Sequence, residues 1–127
     1  MKRLALASLL AIAMGHYSIA CAQDSLVGTY KGNNTGSGYP GDVQVEVQLV
    51  IASVEKGVVK GTVTQFSKGG CAGEYPMEGT YDDNKLVMKS TGKGGRAGDC
   101  DFGLNVALEG NKLVGTNVGG RPIQLSK

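Results

Sequence analysis

The stretch Asp42-Val43-Gln44-Val45-Glu46-Val47-Gln48-Leu49-Val50-Ile51-Ala52 decides the fold. Val43, Val45, Val47, Leu49 and Ile51 alternate with Gln44, Glu46, Gln48, Val50 and Ala52. A period of two describes a strand with one buried face. The same period returns downstream: Tyr75, Met77, Gly79 and Tyr81 alternate with polar residues and Pro76, and Phe102, Leu104, Val106 and Leu108 alternate in turn. Nothing after residue 22 offers a helical stripe of useful length, so an all-β fold is expected.

Turn signals divide the chain into about eight strands: Leu26–Lys31, Val43–Val54, Val58–Phe66, Glu74–Tyr81, Lys85–Ser90, Cys100–Leu108, Leu113–Asn117 and Ile123–Ser126. Three connections are short, at Glu55-Lys56-Gly57, Asp82-Asp83-Asn84 and Glu109-Gly110-Asn111-Lys112. Those residue types tolerate positive φ and suit tight hairpins. Asn84-Lys85-Leu86-Val87 and Asn111-Lys112-Leu113-Val114 resemble one hairpin solution used twice. Pro76 donates no hydrogen bond, which places it at an edge, a bulge or a non-bonded position. Consecutive hairpins make an up-and-down antiparallel meander, and closing it into a small barrel removes exposed edges. A sandwich of the same strands is the alternative.

Residues 1–22 stand apart from this pattern. Lys2 and Arg3 precede an apolar run from Leu4 to Met14, and Ala20-Cys21-Ala22 supplies a small-x-small cleavage pattern. Those features describe a secretory signal peptide, leaving residues 23–127 as one β-barrel domain in the periplasm or outside the cell. The rival reading makes Cys21 the lipidated first residue of an outer-membrane lipoprotein, and only then is a membrane a partner. Removing the 22 residues ahead of Gln23 from 127 leaves 105. Lys2 and Arg3 go with them, so the basic count falls from 13 to 11 against 11 acidic residues. A neutral chain lacks the clustered cations that nucleic-acid binding needs.

Cys71 and Cys100 then remain as an even pair in an oxidising compartment, and a disulfide between them is expected. The single histidine, His16, leaves with the signal, so no imidazole remains to activate a thiol or hydroxyl. Asp82 with Asp83 is ordinary turn chemistry. Asp99 with Asp101 lacks the further spaced ligands of a calcium loop. Gly92-Lys93-Gly94-Gly95-Arg96-Ala97-Gly98 leads into a strand rather than a helix, unlike a phosphate loop. Neither an enzyme, a metal site nor a cofactor is expected.

In a meander, alternate connections share an end. The three tight turns share one; the longer, Gly-rich connections Gly32–Asp42, Ser67–Gly73, Thr91–Asp99 and Val118–Pro122 share the other, together with both cysteines. That long-loop end carries Lys68, Lys93, Arg96 and Arg121 against Asp42 and Asp99. Its first loop adds Asn33, Asn34, Thr35, Ser37 and Tyr39. Loops on a rigid scaffold commonly carry binding function. The candidate contacts are therefore Asn33, Asn34, Tyr39, Lys68, Lys93, Arg96 and Arg121, taking a small molecule or an envelope protein.

Ser25-Leu26-Val27-Gly28-Thr29-Tyr30 resembles the opening strand of the avidin and lipocalin groups (the calycins), with Tyr30 where those families carry Trp in G-x-W. The resemblance implies an eight-stranded up-and-down barrel that binds a ligand at its open mouth, with Tyr30 packing at the barrel floor. With no Trp in the chain, the aromatic wall that avidins give biotin is missing. Val43, Val45, Val47, Leu49, Ile51, Val59, Val63, Tyr75, Met77, Tyr81, Leu86, Met88, Phe102, Leu104, Val106 and Leu108 supply an inward face of large side chains. Eight strands enclose just enough room for such side chains or one small ligand. The expected function is a small exported, non-enzymatic binding protein; the alternatives are a periplasmic inhibitor of a wall-degrading hydrolase, inserting the Gly36–Tyr39 loop, or a structural envelope lipoprotein.

Overall fold

The computed structural model describes residues 25–37, 42–67, 69–94, 98 and 100–127. The proposed signal segment, Cys21, Tyr39, Lys68, Arg96 and Asp99 lie outside them. Eight antiparallel strands follow one another around a closed barrel: β1 Gly28–Ser37, β2 Asp42–Glu55, β3 Val58–Phe66, β4 Gly73–Asp82, β5 Lys85–Ser90, β6 Gly103–Glu109, β7 Lys112–Asn117 and β8 Pro122–Ser126. Each strand pairs with the next, and β1 closes on β8 from Lys31↔Ser126 to Asn34↔Ile123.

The tight turns gather at the floor. Lys56 and Gly57 both have positive φ, as do Asp83 and Asn84, the type I′ pattern that matches strand twist. In the third turn only Gly110 is positive, the type II′ pattern. The two Asn-Lys-Leu-Val segments are therefore not one hairpin solution: Asn84 takes a left-handed conformation, whereas at Gly110-Asn111 the preceding glycine does. Each turn is also tied to the next strand. The carbonyls of Gly57, Asn84 and Asn111 accept from the N–H groups of Tyr81, Leu108 and Lys127 at 2.8–2.9 Å.

The alternating residues of each strand point inward and fill the lower barrel. Leu49, Val59, Val63, Tyr75, Leu86, Leu113 and Leu125 are fully buried. Ala52 is an extra residue in β2, where the β2–β3 register shifts between Ile51 and Ser53. Such a bulge reverses which residues face in, so Val54 packs against the core although its parity in the sequence says otherwise. Gly61 and Gly79 occupy inward positions yet leave no empty space: a Cβ there would overlap the carbonyl oxygens of Val50 and Val87. They permit tight coiling, one of the two roles open to strand glycines. Pro76 sits where the β4–β5 ladder stops at Met77↔Ser90; its carbonyl accepts from Thr91 N–H at 3.0 Å on that side, so its missing N–H removes no ladder bond.

At the floor, Tyr30 is buried and its hydroxyl donates to the Leu26 carbonyl at 2.8 Å. The Lys127 ammonium lies 5.7 Å from its ring centroid and donates to the Ser25 carbonyl. Burial, with a smaller push from Tyr81, raises the Tyr30 pKa above the usual 10.0. The folded protein therefore holds this proton more tightly than the unfolded chain. Its contribution is complete below pH 10 and is lost as pH climbs toward the folded value. Urea midpoints measured between pH 9 and 11 are expected to fall, and to fall less steeply in Tyr30→Phe.

Candidate functional site

The two ends of the barrel differ as the connections imply, but the first long connection is shorter than expected. Residues 32–37 continue β1, and the connection to β2 reduces to residues 38–41. Pairing with β2 from Gly32↔Val47 to Ser37↔Asp42 overrides the weak strand preference of Asn33, Asn34 and Gly36.

At this end lies an open cavity of about 500 Å³. Val43 and Val45 of β2, with Phe102 and Val118, form its apolar wall. Its polar lining includes Thr35, Ser67, Asp101 and Arg121 together with Asn34, Gln65 and Asn117, and each of these three amides is on an inward position in phase with apolar residues lower on the same strand. The Cys71–Cys100 disulfide, with Cα atoms 5.5 Å apart, ties the β3–β4 connection to the chain just before β6, and Cys71 lines the cavity. Tyr75 donates its hydroxyl proton to the Cys71 carbonyl, which also accepts from Gln65 Nε2 at 3.4 Å. The wall is therefore held both covalently and by hydrogen bonds.

Asn117 is the clasp of this end. Its Nδ2 donates to Asn34 Oδ1 at 2.8 Å and to the Thr35 carbonyl at 2.9 Å. Its Oδ1 accepts from the N–H groups of Gly119 and Arg121 at 2.9 and 3.0 Å. Both amide protons and both lone-pair directions are thus used. Asn34 and Gln65 are less committed. Asn34 Nδ2 donates to Gln65 Oε1 at 3.4 Å; with the bonds to Asn117 and Cys71 counted, each amide keeps one donor and one acceptor direction. Asn117→Ala is expected to cost about 2 kcal/mol, the order expected when several partly buried partners lose one side chain. Faster amide exchange at Gly119 and Arg121 is the accompanying signature.

The structure separates the candidate residues. Asn34 and Arg121 line the cavity; Asn33 is exposed on the outer face of β1, opposite Glu46 and Gln124. Lys93 Nζ binds Asp101 Oδ2 at 2.7 Å, and with the side chains 60% and 56% exposed this pair contributes under about 1 kcal/mol. Asp101 lines the cavity while Lys93 does not. Gln65 and Asn117 were not singled out in the sequence, although each is a polar residue at an inward position (after Val59, Gly61 and Val63, and after Leu113 and Gly115). That break in phase is the signal by which they are found. Among the described residues no group of three or more His, Cys, Asp or Glu side chains is placed to hold a metal. Compared with known protein families, curated proteins and solved structures, the chain matches none.

Proposed function

We propose that this is a small exported binding protein, without catalytic chemistry of its own, whose barrel mouth receives a ligand. The observation that carries the reading is the cavity of about 500 Å³ at the disulfide-tied end, where amide groups converge above an apolar wall. Ligand sites are commonly concave and largely apolar, with a few placed polar groups, and this volume falls in their usual range. The filled lower barrel supports the mouth, rather than a deep interior, as the place of binding. The disulfide supports an oxidising compartment and hence export.

Native mass spectrometry of the protein purified from its own source tests the reading. A retained small adduct, or fluorescence of anilinonaphthalene sulfonate lost in Val43→Trp, is the expected result. A bare mass together with dye binding that Val43→Trp leaves unchanged overturns it. The same intact mass reports whether Cys21 is absent, lipidated or retained.

A further inference from the structure

β2 outruns β3. Their pairing stops at Glu46↔Phe66, whereas β2 begins at Asp42. Above that point Gln44 and Asp42 have no paired strand on the β3 side among the described residues. The orientation of their backbone follows from the strand itself. The Val50 carbonyl points at β3, since a Cβ on Gly61 would overlap it, and alternate residues of a strand turn their N–H and C=O to the same side. Counting back by twos from Val50, with no bulge between, Gln48, Glu46 and Gln44 face that side as well. Glu46 finds Phe66, and Gln44 presents an N–H and a C=O beyond the end of the ladder.

Beside this edge the cavity is lined by apolar and amide side chains and by two charged ones, Arg121 and the Lys93-paired Asp101. Val43 and Val45 turn inward and line the cavity next to it. Asn34 and Gln65 each offer a further donor and acceptor. The Gln44 edge asks for a donor and an acceptor together, with apolar contact from Val43 and Val45 on the inward side. Peptide groups supply that pairing at every residue, and an extended chain sends alternate side chains to one face.

We infer that the mouth cavity takes a short peptide in extended form, which pairs with the Gln44 edge of β2 and places alternate apolar side chains against Val43 and Val45. This rests on the reading that the mouth is the binding site, and it names the ligand class for that site. The ligand is short because β2 extends only from Glu46 back to Asp42 beyond its last pair with β3, and because Gly69 and Gly70 of the β3–β4 connection line the cavity wall.

The test uses the whole folded chain and a capped peptide, acetyl-Val-Ser-Val-Ser-amide, followed by calorimetry and by amide hydrogen exchange. Binding is expected, with exchange of the Gln44 N–H slowed at least tenfold. Two N-methylated versions, each blocking one edge of the peptide, are expected to split: one binds and the other does not. Val43→Asp is expected to weaken binding at least tenfold, whereas Val87→Asp, on an exposed outward position of β5, leaves it unchanged. Unchanged Leu49 and Met88 resonances establish that each variant is folded. Peptide binding that leaves Gln44 exchange unchanged, or equal binding of both N-methylated versions, overturns the inference. Failure of the peptide while anilinonaphthalene sulfonate still binds and Val43→Trp excludes it overturns the peptide alone. Failure of both removes the mouth as a binding site.

Discussion

Gly79→Ala is expected to lower stability by about 3 kcal/mol, read as a fall in the urea midpoint with an unchanged slope. Gly79 lies between Val59 of β3 and Met88 of β5, both buried and inward-facing. Its neighbours leave no place for a methyl group, because a Cβ would overlap the Val87 carbonyl and approach Met88 Cα to 2.7 Å. Those atoms are backbone, so no side chain can swing aside. Relief requires β5 to move away from β4, which disturbs the ladder from Met77↔Ser90 to Asp82↔Lys85. Gly110→Ala supplies the contrast: its Cβ would meet nothing within 4 Å, although its φ of 64° carries conformational strain. That strain is of order 1–2 kcal/mol. A Gly79→Ala loss no larger than that of Gly110→Ala contradicts the steric account.

The second large effect belongs to the disulfide. Reduction, or the double change Cys71→Ser with Cys100→Ser, is expected to remove about 3–4 kcal/mol by the chain-entropy relation for a closed loop of roughly this length. The cysteines are 29 residues apart, and the loop between them contains all of β4 and β5. Loss should be uneven. The Cys71 carbonyl anchors Tyr75 and Gln65, so the cavity wall loosens first, while the turns at Lys56-Gly57 and Asp83-Asn84 retain their ties to the next strand. Denaturation midpoints with and without reductant measure the total. Amide exchange at Gly73 and Gly94, compared with Tyr81 and Leu108, measures its distribution. Uniform loss across both ends would show that the bridge stabilises the whole barrel rather than its mouth.

Much of this architecture was legible because each strand repeats the same simple rule. Valine and leucine at every second position set the inward face, and Asn, Asp and Gly pairs set the turns. The even cysteine pair identified a bridge that the structure contains. Where the sequence misled, a pairing partner was responsible. Asn33, Asn34 and Gly36 look like loop residues alone, yet β2 supplies a strand for them to pair with. Val54 faces inward only because Ala52 is accommodated as a bulge, a choice made by the register against β3. At the mouth the sequence pointed to Asn34 and Arg121, which do line the cavity, but not to the amides of Gln65 and Asn117, which join Asn34 there. An amide on an inward position gives no strong signal by itself. It becomes meaningful when three strands bring three such positions to one level.

The closed order of strands also bears on how the chain assembles. Seven of its eight pairings join strands adjacent in sequence, and the longest connection between them is residues 91–102. The eighth joins residues 31–34 to residues 123–126 and must gather the two extremes of the barrel. Loop-closure entropy makes that seam the last to form, after the rate-limiting step, with hairpins forming ahead of it. Substitutions along the β1–β8 seam, such as Ile123→Val or Leu125→Ala, are therefore expected to accelerate unfolding while leaving the refolding rate nearly unchanged. Kinetic persistence of the barrel is set at its closing seam, on the wall between the mouth that we assign to binding and the floor where Lys127 meets Tyr30.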